Sequence, residues 1–258
     1  MRLAAAIVIL TAGVATMASA TSIHPIINSS QEVYGASQGT KWINDAATAK
    51  RLKGGEKYTY YSFSSRVGIG VGSKPTADDH CPGTTMIDAK APDNAVIGID
   101  APWNALPRKP RVESVKQPLY AKVVVDYLKS QHMPRPKVEV TQIIRCDVDG
   151  KGVDSVFITA KYETLWPEEH ATADFYVVLM RRLLHGKVVT IPLMGDVAHK
   201  ADAFRFPVRC AVKGFYDLKG DGKMEILIDA HYQDSSMSYI FAVKGSKAKP
   251  VLTTGCSA

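Results

Sequence analysis

Asp147-Val-Asp149-Gly-Lys151-Gly152 and Asp217-Leu-Lys219-Gly-Asp221-Gly222 stand 70 residues apart, and the segments behind them repeat as well. The same offset carries Val156-Phe-Ile-Thr-Ala-Lys-Tyr162 onto Ile226-Leu-Ile-Asp-Ala-His-Tyr232. Self-similarity at a fixed period marks a repeated structural unit. The next run, Tyr176-Val-Val-Leu-Met, matches Tyr239-Ile-Phe-Ala-Val by letter after a loop seven residues longer in the first copy. A His-Gly-Lys turn and a Gly-Ser-Lys turn then lead to closing strands near Val188–Pro192 and Pro250–Thr254. Each copy reads as strand, Asp/Gly loop, strand, loop, strand, tight turn, strand. Val156, Ile158, Ala160 and Tyr162 share one face of the second strand, as do Ile226, Ile228, Ala230 and Tyr232. Thr159 and Lys161, or Asp229 and His231, fall opposite, so that face is expected to be wetter. Such a unit cannot bury its apolar face alone and must stack on its copy and on the strands before it.

Toward the amino terminus the texture changes at Pro136. We therefore expect two tandem β units over 138–258, about 138–195 and 206–256, preceded by a mixed β/α region over 21–137. Residues 21–55 read as a polar lead-in with a helix near Trp42 to Lys53, stopped by Gly54-Gly55. Glu56 to Phe63 and Val67 to Gly72 read as paired strands, and Ala95 to Ile99 as another. The VGIGVG run has neither the Lys-Ser/Thr of a P-loop nor the third glycine of a dinucleotide loop, so it reads as a glycine-rich strand. The clearest helix runs from Tyr120 to about His132, with Val123, Val124, Tyr127 and Leu128 at 3/4 spacing between Pro118 and Pro134. The fold class expected is mainly β: antiparallel four-stranded repeat units, propeller-blade-like or sandwich, with one or two short helices in the N-terminal half.

Met1-Arg2-Leu3, the apolar Ala4–Val14 run and Ala18-Ser19-Ala20 form the pattern of a cleavable signal peptide over residues 1–20. The run is too short to span a bilayer, and no later stretch is long and apolar enough to do so. The chain is thus expected to be secreted or periplasmic, with no transmembrane segment after cleavage. Removing Arg2 lowers the net charge from +7 to +6. Eight basic residues lie between Arg108 and Lys137 against only Glu113 and Asp126. An anionic envelope polymer, lipid headgroups or an acidic protein partner would suit them, and so would an ordinary solvated face. Nucleic acid is not expected as a partner, because only Tyr120 and Tyr127 fall among these charges. Cys81, Cys146, Cys210 and Cys256 form no C-x-x-C pair; in an oxidising compartment four cysteines favour disulfides, with three connectivities open.

Carboxylates at alternating positions, interrupted by glycines, suit a hard cation such as calcium, which takes six to eight oxygens. The same letters also make tight turns whose side chains cap their own backbone. The second loop, Asp217 to Glu225 before Ile-Leu-Ile, resembles the calcium loop of FG-GAP/VCBS-type repeats of integrin-like β-propellers. That resemblance implies calcium as a structural cofactor, adhesion or ligand binding as the function, and Asp217, Asp221 and Glu225 as ligands. In the first loop the weaker candidates are Asp147, Asp149 and Asp154. Lys219 departs from the pattern at a ligand position, Lys151 stands where Asp221 does, and Asp154 comes one residue early. A lysine there repels a cation or replaces it with its own ammonium. Neither loop is an EF-hand, since Ile158 and Ile228 fill the twelfth position.

Nucleophile contexts are missing: there is no G-x-S-x-G elbow and no H-E-x-x-H helix, and Ser246-Lys-Ala-Lys249 falls in an expected hairpin turn. His170 with Glu168, Glu169 and Asp174 is the densest acid/His cluster, in the longer loop of the first repeat. Tyr162, Tyr232 and Trp103 suit a ligand surface or core packing. Two functions fit these features. One is an exported non-catalytic β-repeat protein binding a partner or polymer at the cell envelope, with calcium as a stabiliser. The other is an exported hydrolase with a dispersed acid/His site.

Overall fold

The amino-terminal stretch carries more strand than its polar texture suggests. In a computed structural model of the protein, which describes residues 22–163, 174–198, 208–232 and 234–257, the chain begins with three strands. These are β1 (His24–Asn28), β2 (Val33–Gln38) and β3 (Lys41–Asn44). The expected lead-in is therefore part of the core: Ile26, Ile27, Val33 and Tyr34 are buried. Their apolar runs are too short to show a period, which hid them. Trp42 lies in β3, and the expected helix shrinks to α1 (Asp45–Ala49), where Asn44 accepts the Ala47 N–H at 2.9 Å as its cap.

β4 (Lys57–Tyr61), β5 (Arg66–Val71), the two-residue strands β6 (Thr76–Ala77) and β7 (Thr85–Met86), and β8 (Ile97–Ile99) come after it. The six-stranded sheet has the order β3-β2-β1-β8-β4-β5. The VGIGVG run is indeed a strand. Its glycines are explained by a segment laid directly on it, since a Cβ at Gly70 would stand 1.9 Å from the Ala89 carbonyl oxygen.

β9 (Arg111–Val112) and α2 (Pro118–Ser130) come next. α2 begins with proline at its first turn and ends as His132 turns to φ 65°, ahead of Pro134. The first repeat is β10 (Glu139–Cys146), β11 (Ser155–Tyr162), β12 (Phe175–Leu184) and β13 (Lys187–Val197). The second is β14 (Arg209–Tyr216), β15 (Glu225–His231), β16 (Ser235–Lys244) and β17 (Lys247–Ser257). Both are antiparallel meanders, ordered β13-β12-β11-β10-β9 and β14-β15-β16-β17. β9 thus belongs to the first repeat's sheet, and α2 lies on its outer face.

The register corrects one detail of the repeat. Ala160 pairs with Val177 and Ala230 with Met237, so Val177 answers to Met237 at an offset of 60. The first copy's loop is therefore ten residues longer, and the Tyr176/Tyr239 match is three residues out of step. An odd slip would put every side chain on the wrong face.

The stacking is head to tail. In the first repeat Val156, Ile158 and Ala160 pack against Tyr120, Val124 and Leu128 of α2. The opposite face, with Phe157, Val178 and Met180, joins the main core. There Phe157 meets Phe215 at 4.6 Å, on the second repeat's face bearing Ile226, Ile228 and Ala230. Gln142 spans this joint, bonding the Val212 N–H at 3.0 Å and the Val212 carbonyl at 3.2 Å. The second repeat's other face, through Leu252, abuts β2 at Gly35. Equivalent faces thus succeed one another, as blades do, where a sandwich of two copies would set like faces together. This also corrects the expectation of a wet face in the first repeat. Thr159 is 2% exposed, and its hydroxyl donates to Gln142 Oε1 at 2.8 Å.

Candidate binding groove at the Asp/Gly loops

The two Asp/Gly loops adopt the same turn. Asp147 accepts the N–H groups of Lys151 (3.1 Å) and Gly152 (2.7 Å); Asp217 accepts those of Asp221 (3.1 Å) and Gly222 (2.9 Å). Each leading aspartate therefore closes its own turn. Their electrostatics differ. Burial raises both carboxyls, but around Asp147 the amide donors and Arg108 win and its pKa is lowered. At Asp217 burial wins, and the pKa is raised.

The remaining candidate ligands have partners too. Asp149 pairs with Arg182, which is 7% exposed, and Asp154 with Arg111 at 2.5 Å. Lys219 reaches into the second loop, its Nζ 3.1 Å from Asp221 and 3.8 Å from Glu225, and lies 5.6 Å over the Trp42 ring. Glu225, 4% exposed, also accepts the Leu218 N–H at 3.0 Å. Burial pushes its pKa up to about 8. Asp221 and Glu225 are thus brought together around an ammonium, while Asp217 in the same loop is taken up by backbone amides. Among the described residues no group of three or more His, Cys, Asp or Glu side chains is placed to hold a metal ion. As arranged, these residues do not fit calcium, because backbone amides and cationic side chains hold the oxygens it would need.

The loops are also fused to each other. Met224 N–H donates to the Val148 carbonyl at 2.8 Å. Arg108 spans both, with Nε on the Asp147 carbonyl (2.5 Å) and Nη2 on the Gly222 carbonyl (2.6 Å). Trp103 donates its indole N–H to the Asp217 carbonyl at 2.8 Å. At Gly220, with φ +69°, a Cβ would meet the Trp103 ring at 2.8 Å, so the turn needs glycine twice over. Two expectations resolve here: Trp103 is a packing residue, and Arg108 is a structural clamp drawn from the basic stretch. Arg111 and Lys122 of that stretch are paired, with Asp154 and Asp126.

Beside the fused loops runs a groove of about 920 Å³, bordered by Asp149, Lys219 and Glu225 from the loops, β13, and the β16–β17 hairpin. Trp42, Val243, Ala248 and Val251 line it and pack against the main core from outside. Lys223, Lys244, Lys247 and Lys249 line it as well, exposed, and none has a carboxylate partner among the described residues. Lys244 stands directly opposite Lys247 across the Gly245-Ser246 turn, and Lys249 opposite Ala242 on the same face. Like charges so placed repel. The repeat supplies an internal control: at the offset of 60, Lys244 and Lys249 answer to Leu184 and Val189. The hairpin itself does not require lysine there. Sequence reasoning missed this cluster because it shows only once the hairpins are aligned by register. Ser246, Lys247 and Lys249 lie on the turn and strand, with no helix to make S-x-x-K chemistry.

A second cleft, about 330 Å³, lies between the β1–β2 turn and the second repeat. Among its polar groups Asn28 donates to Glu32 at 2.7 Å, Ser238 bonds Asp229, and Ser236 meets His231 Nδ1 at 3.2 Å, while the hydroxyl of buried Tyr34, which also lines it, makes no hydrogen bond among the described residues. Of the acid/His cluster, His170, Glu168 and Glu169 lie outside the described residues; Asp174 is buried at the start of β12. Tyr232 is half exposed and bonds Tyr239 through the hydroxyls at 3.0 Å, while Lys137 sits 5.5 Å over the Tyr162 ring. Of the four cysteines, Cys81 and Cys256 form a disulfide. Cys146 and Cys210 are buried free thiols, each pushed up to about 12 by burial. No helix among the described residues is long and apolar enough to cross a membrane. Comparison with known protein families, curated proteins and solved structures finds no match.

Proposed function

We propose that this chain is an exported, non-catalytic β-repeat protein that binds an anionic component of the cell envelope, or an anionic partner there, in the groove beside its Asp/Gly loops. The observation that carries the reading is the set of Lys244, Lys247 and Lys249 on one face of the β16–β17 hairpin. They repel one another and lack carboxylate partners among the described residues, and two of them, Lys244 and Lys249, stand where the first copy has Leu184 and Val189. An anion relieves that repulsion, and the field of the cluster steers it in. The carboxylates bordering the groove do not oppose it, because Arg182 and Lys219 neutralise Asp149 and Glu225. The Cys81–Cys256 bridge supports an oxidising compartment, in line with the signal-like start of the sequence. The blade-like stacking and the likeness of the second loop to FG-GAP/VCBS repeats support a binding scaffold. Calcium has no part in this reading, since Lys219 supplies the loop with its cation.

The test is calorimetric titration with polyglutamate over a range of salt. The wild-type protein is expected to bind, more weakly as salt rises. Lys244→Gln/Lys247→Gln/Lys249→Gln is expected to weaken binding by about ten-fold or more and to flatten its salt dependence. Equal affinity in the triple variant would place the anion elsewhere and sink the assignment.

A further inference from the structure

The cleft of about 330 Å³ between the β1–β2 turn and the second repeat shares no lining residue with the lysine groove, and its chemistry differs. Tyr34 reaches it from the main core: the side chain is 1% exposed, and its hydroxyl takes no hydrogen bond among the described residues. Glu32, Asp229 and Ser238, all on the cleft wall, lie within electrostatic reach of that hydroxyl. Ser238 directs its own proton at Asp229, whose other oxygen stands 3.6 Å from Lys213 Nζ. Burial above all, with the charges of Asp229 and Glu32 behind it, raises the Tyr34 pKa well above the ordinary tyrosine value. The hydroxyl therefore keeps a proton to donate. Glu32 offers the complementary acceptor. It uses Oε2 for Asn28 at 2.7 Å and Thr254 at 3.4 Å, and Oε1 takes no bond among the described residues.

These two groups define the occupant. An ammonium has no lone pair to accept the Tyr34 proton. An anion could accept it, but meets two carboxylates against one lysine that already stands beside Asp229. A neutral hydroxyl can both accept from Tyr34 and donate to Glu32. A single water does so too, yet the cleft has room for on the order of ten. Ala95, Val96 and Leu227 in the lining offer apolar contact to a carbon skeleton. We infer that this cleft binds a neutral polyhydroxylated molecule the size of a monosaccharide, whose hydroxyls accept from Tyr34 and donate to Glu32. The site is separate from the anion-binding groove and does not rest on it.

The experiment is titration of the oxidised wild-type protein with glucose, galactose and mannose, followed by saturation-transfer NMR. Each hexose is paired with its 6-amino and its uronate form. At least one neutral hexose is expected to bind one to one, its uronate about ten-fold more weakly, and its amino form no more tightly. Tyr34→Phe is expected to weaken the bound hexose by about three- to ten-fold and to leave polyglutamate binding unchanged. Should that variant fold poorly, Glu32→Gln, which removes the carboxylate and keeps the size, is expected to weaken the hexose in the same way. Undiminished hexose affinity in the variants that fold would place the sugar elsewhere and overturn the site. Tighter binding of a charged form than of its parent would overturn the neutral occupant. Saturation by none of the three hexoses would leave water as the partner of Tyr34 and overturn the inference, while polyglutamate binding, and its loss in the lysine triple variant, would stand apart from that result.

Discussion

Lys219 sits where the second Asp/Gly loop would otherwise offer three carboxylates to a cation, and its ammonium keeps Asp221 and Glu225 in company with a positive charge. The letters Asp217, Asp221 and Glu225 were enough to say that these carboxylates converge. The sequence also marks Lys219 as a residue that repels a cation or replaces it with its own ammonium; its place against Asp221 and Glu225, over the Trp42 ring of a distant strand, is what only the fold supplies. Glu225 gives the residue-scale consequence. Burial raises its pKa from 4.5 to about 8. A carboxyl so raised binds its proton more tightly in the folded chain, so its contribution to stability is full below about pH 4.5 and is lost as pH rises through about 8. At about 1.4 kcal/mol per unit, the loss is of the order of a few kcal/mol. Glu225→Gln should therefore melt higher than wild type at pH 9 and close to it at pH 5, in parallel calorimetric scans; the opposite ordering would refute the buried, raised carboxyl. The same loop makes a metal prediction. Calcium or EDTA should leave the wild-type melting temperature unchanged, whereas Lys219→Asp, which restores the acidic pattern, should melt lower in EDTA and recover in millimolar calcium.

Pairs of elements show a different limit of sequence reading. The first two strands of each copy keep the 70-residue offset because the Asp/Gly turn between them is fixed by its own side chain, and these were legible to the residue. The third and fourth strands run at 60, and the letters misplaced them by three because apolar strands tolerate many alignments. Register settles it, since it decides which face each side chain joins. The groove lysines were illegible for the same reason: Lys244 and Lys247 become neighbours only across a paired hairpin. The clamp on the loops was hidden by distance, since Arg108 lies 39 residues from Asp147 and 114 from Gly222. Arg108→Ala removes two charge-assisted bonds to carbonyls and leaves both loops without their common donor. It is expected to cost about 1–3 kcal/mol by urea denaturation, discounted for the partial exposure of the side chain. Arg108→Lys should recover only part of this, because an ammonium cannot reproduce the guanidinium's planar fork. Full recovery by lysine would mean that charge alone, not the two-pronged geometry, joins the loops.

Across the molecule, the order α2, first repeat, second repeat, amino-terminal sheet makes the last strand a neighbour of the first strands. β17 packs on β2, Thr84 donates to the Gly255 carbonyl at 3.2 Å, and the Cys81–Cys256 bridge joins residues 175 apart in sequence. Cysteine spacing could give only three connectivities, and the head-to-tail order is what selects a bond between the amino-terminal region and the final strand. Cys146 and Cys210 are left within the main core, where burial keeps both thiols protonated. The bridge closes a loop of 175 residues in the unfolded chain, so its loss should cost at most about 5 kcal/mol. That corresponds to a melting temperature lower by at most about 10–20 °C for a chain of this size. Cys81→Ser/Cys256→Ser should show that drop and keep the native circular dichroism, because the core contacts between β2 and the second repeat do not depend on the bridge. Thiol titration separates this from misassigned pairing. The oxidised wild-type protein should show no reactive thiol when folded and two in denaturant, and the double variant should behave alike. Four reactive thiols in denaturant without reductant would remove the bridge, and none would mean that Cys146 and Cys210 are themselves paired and would overturn their place as separate free thiols of the core.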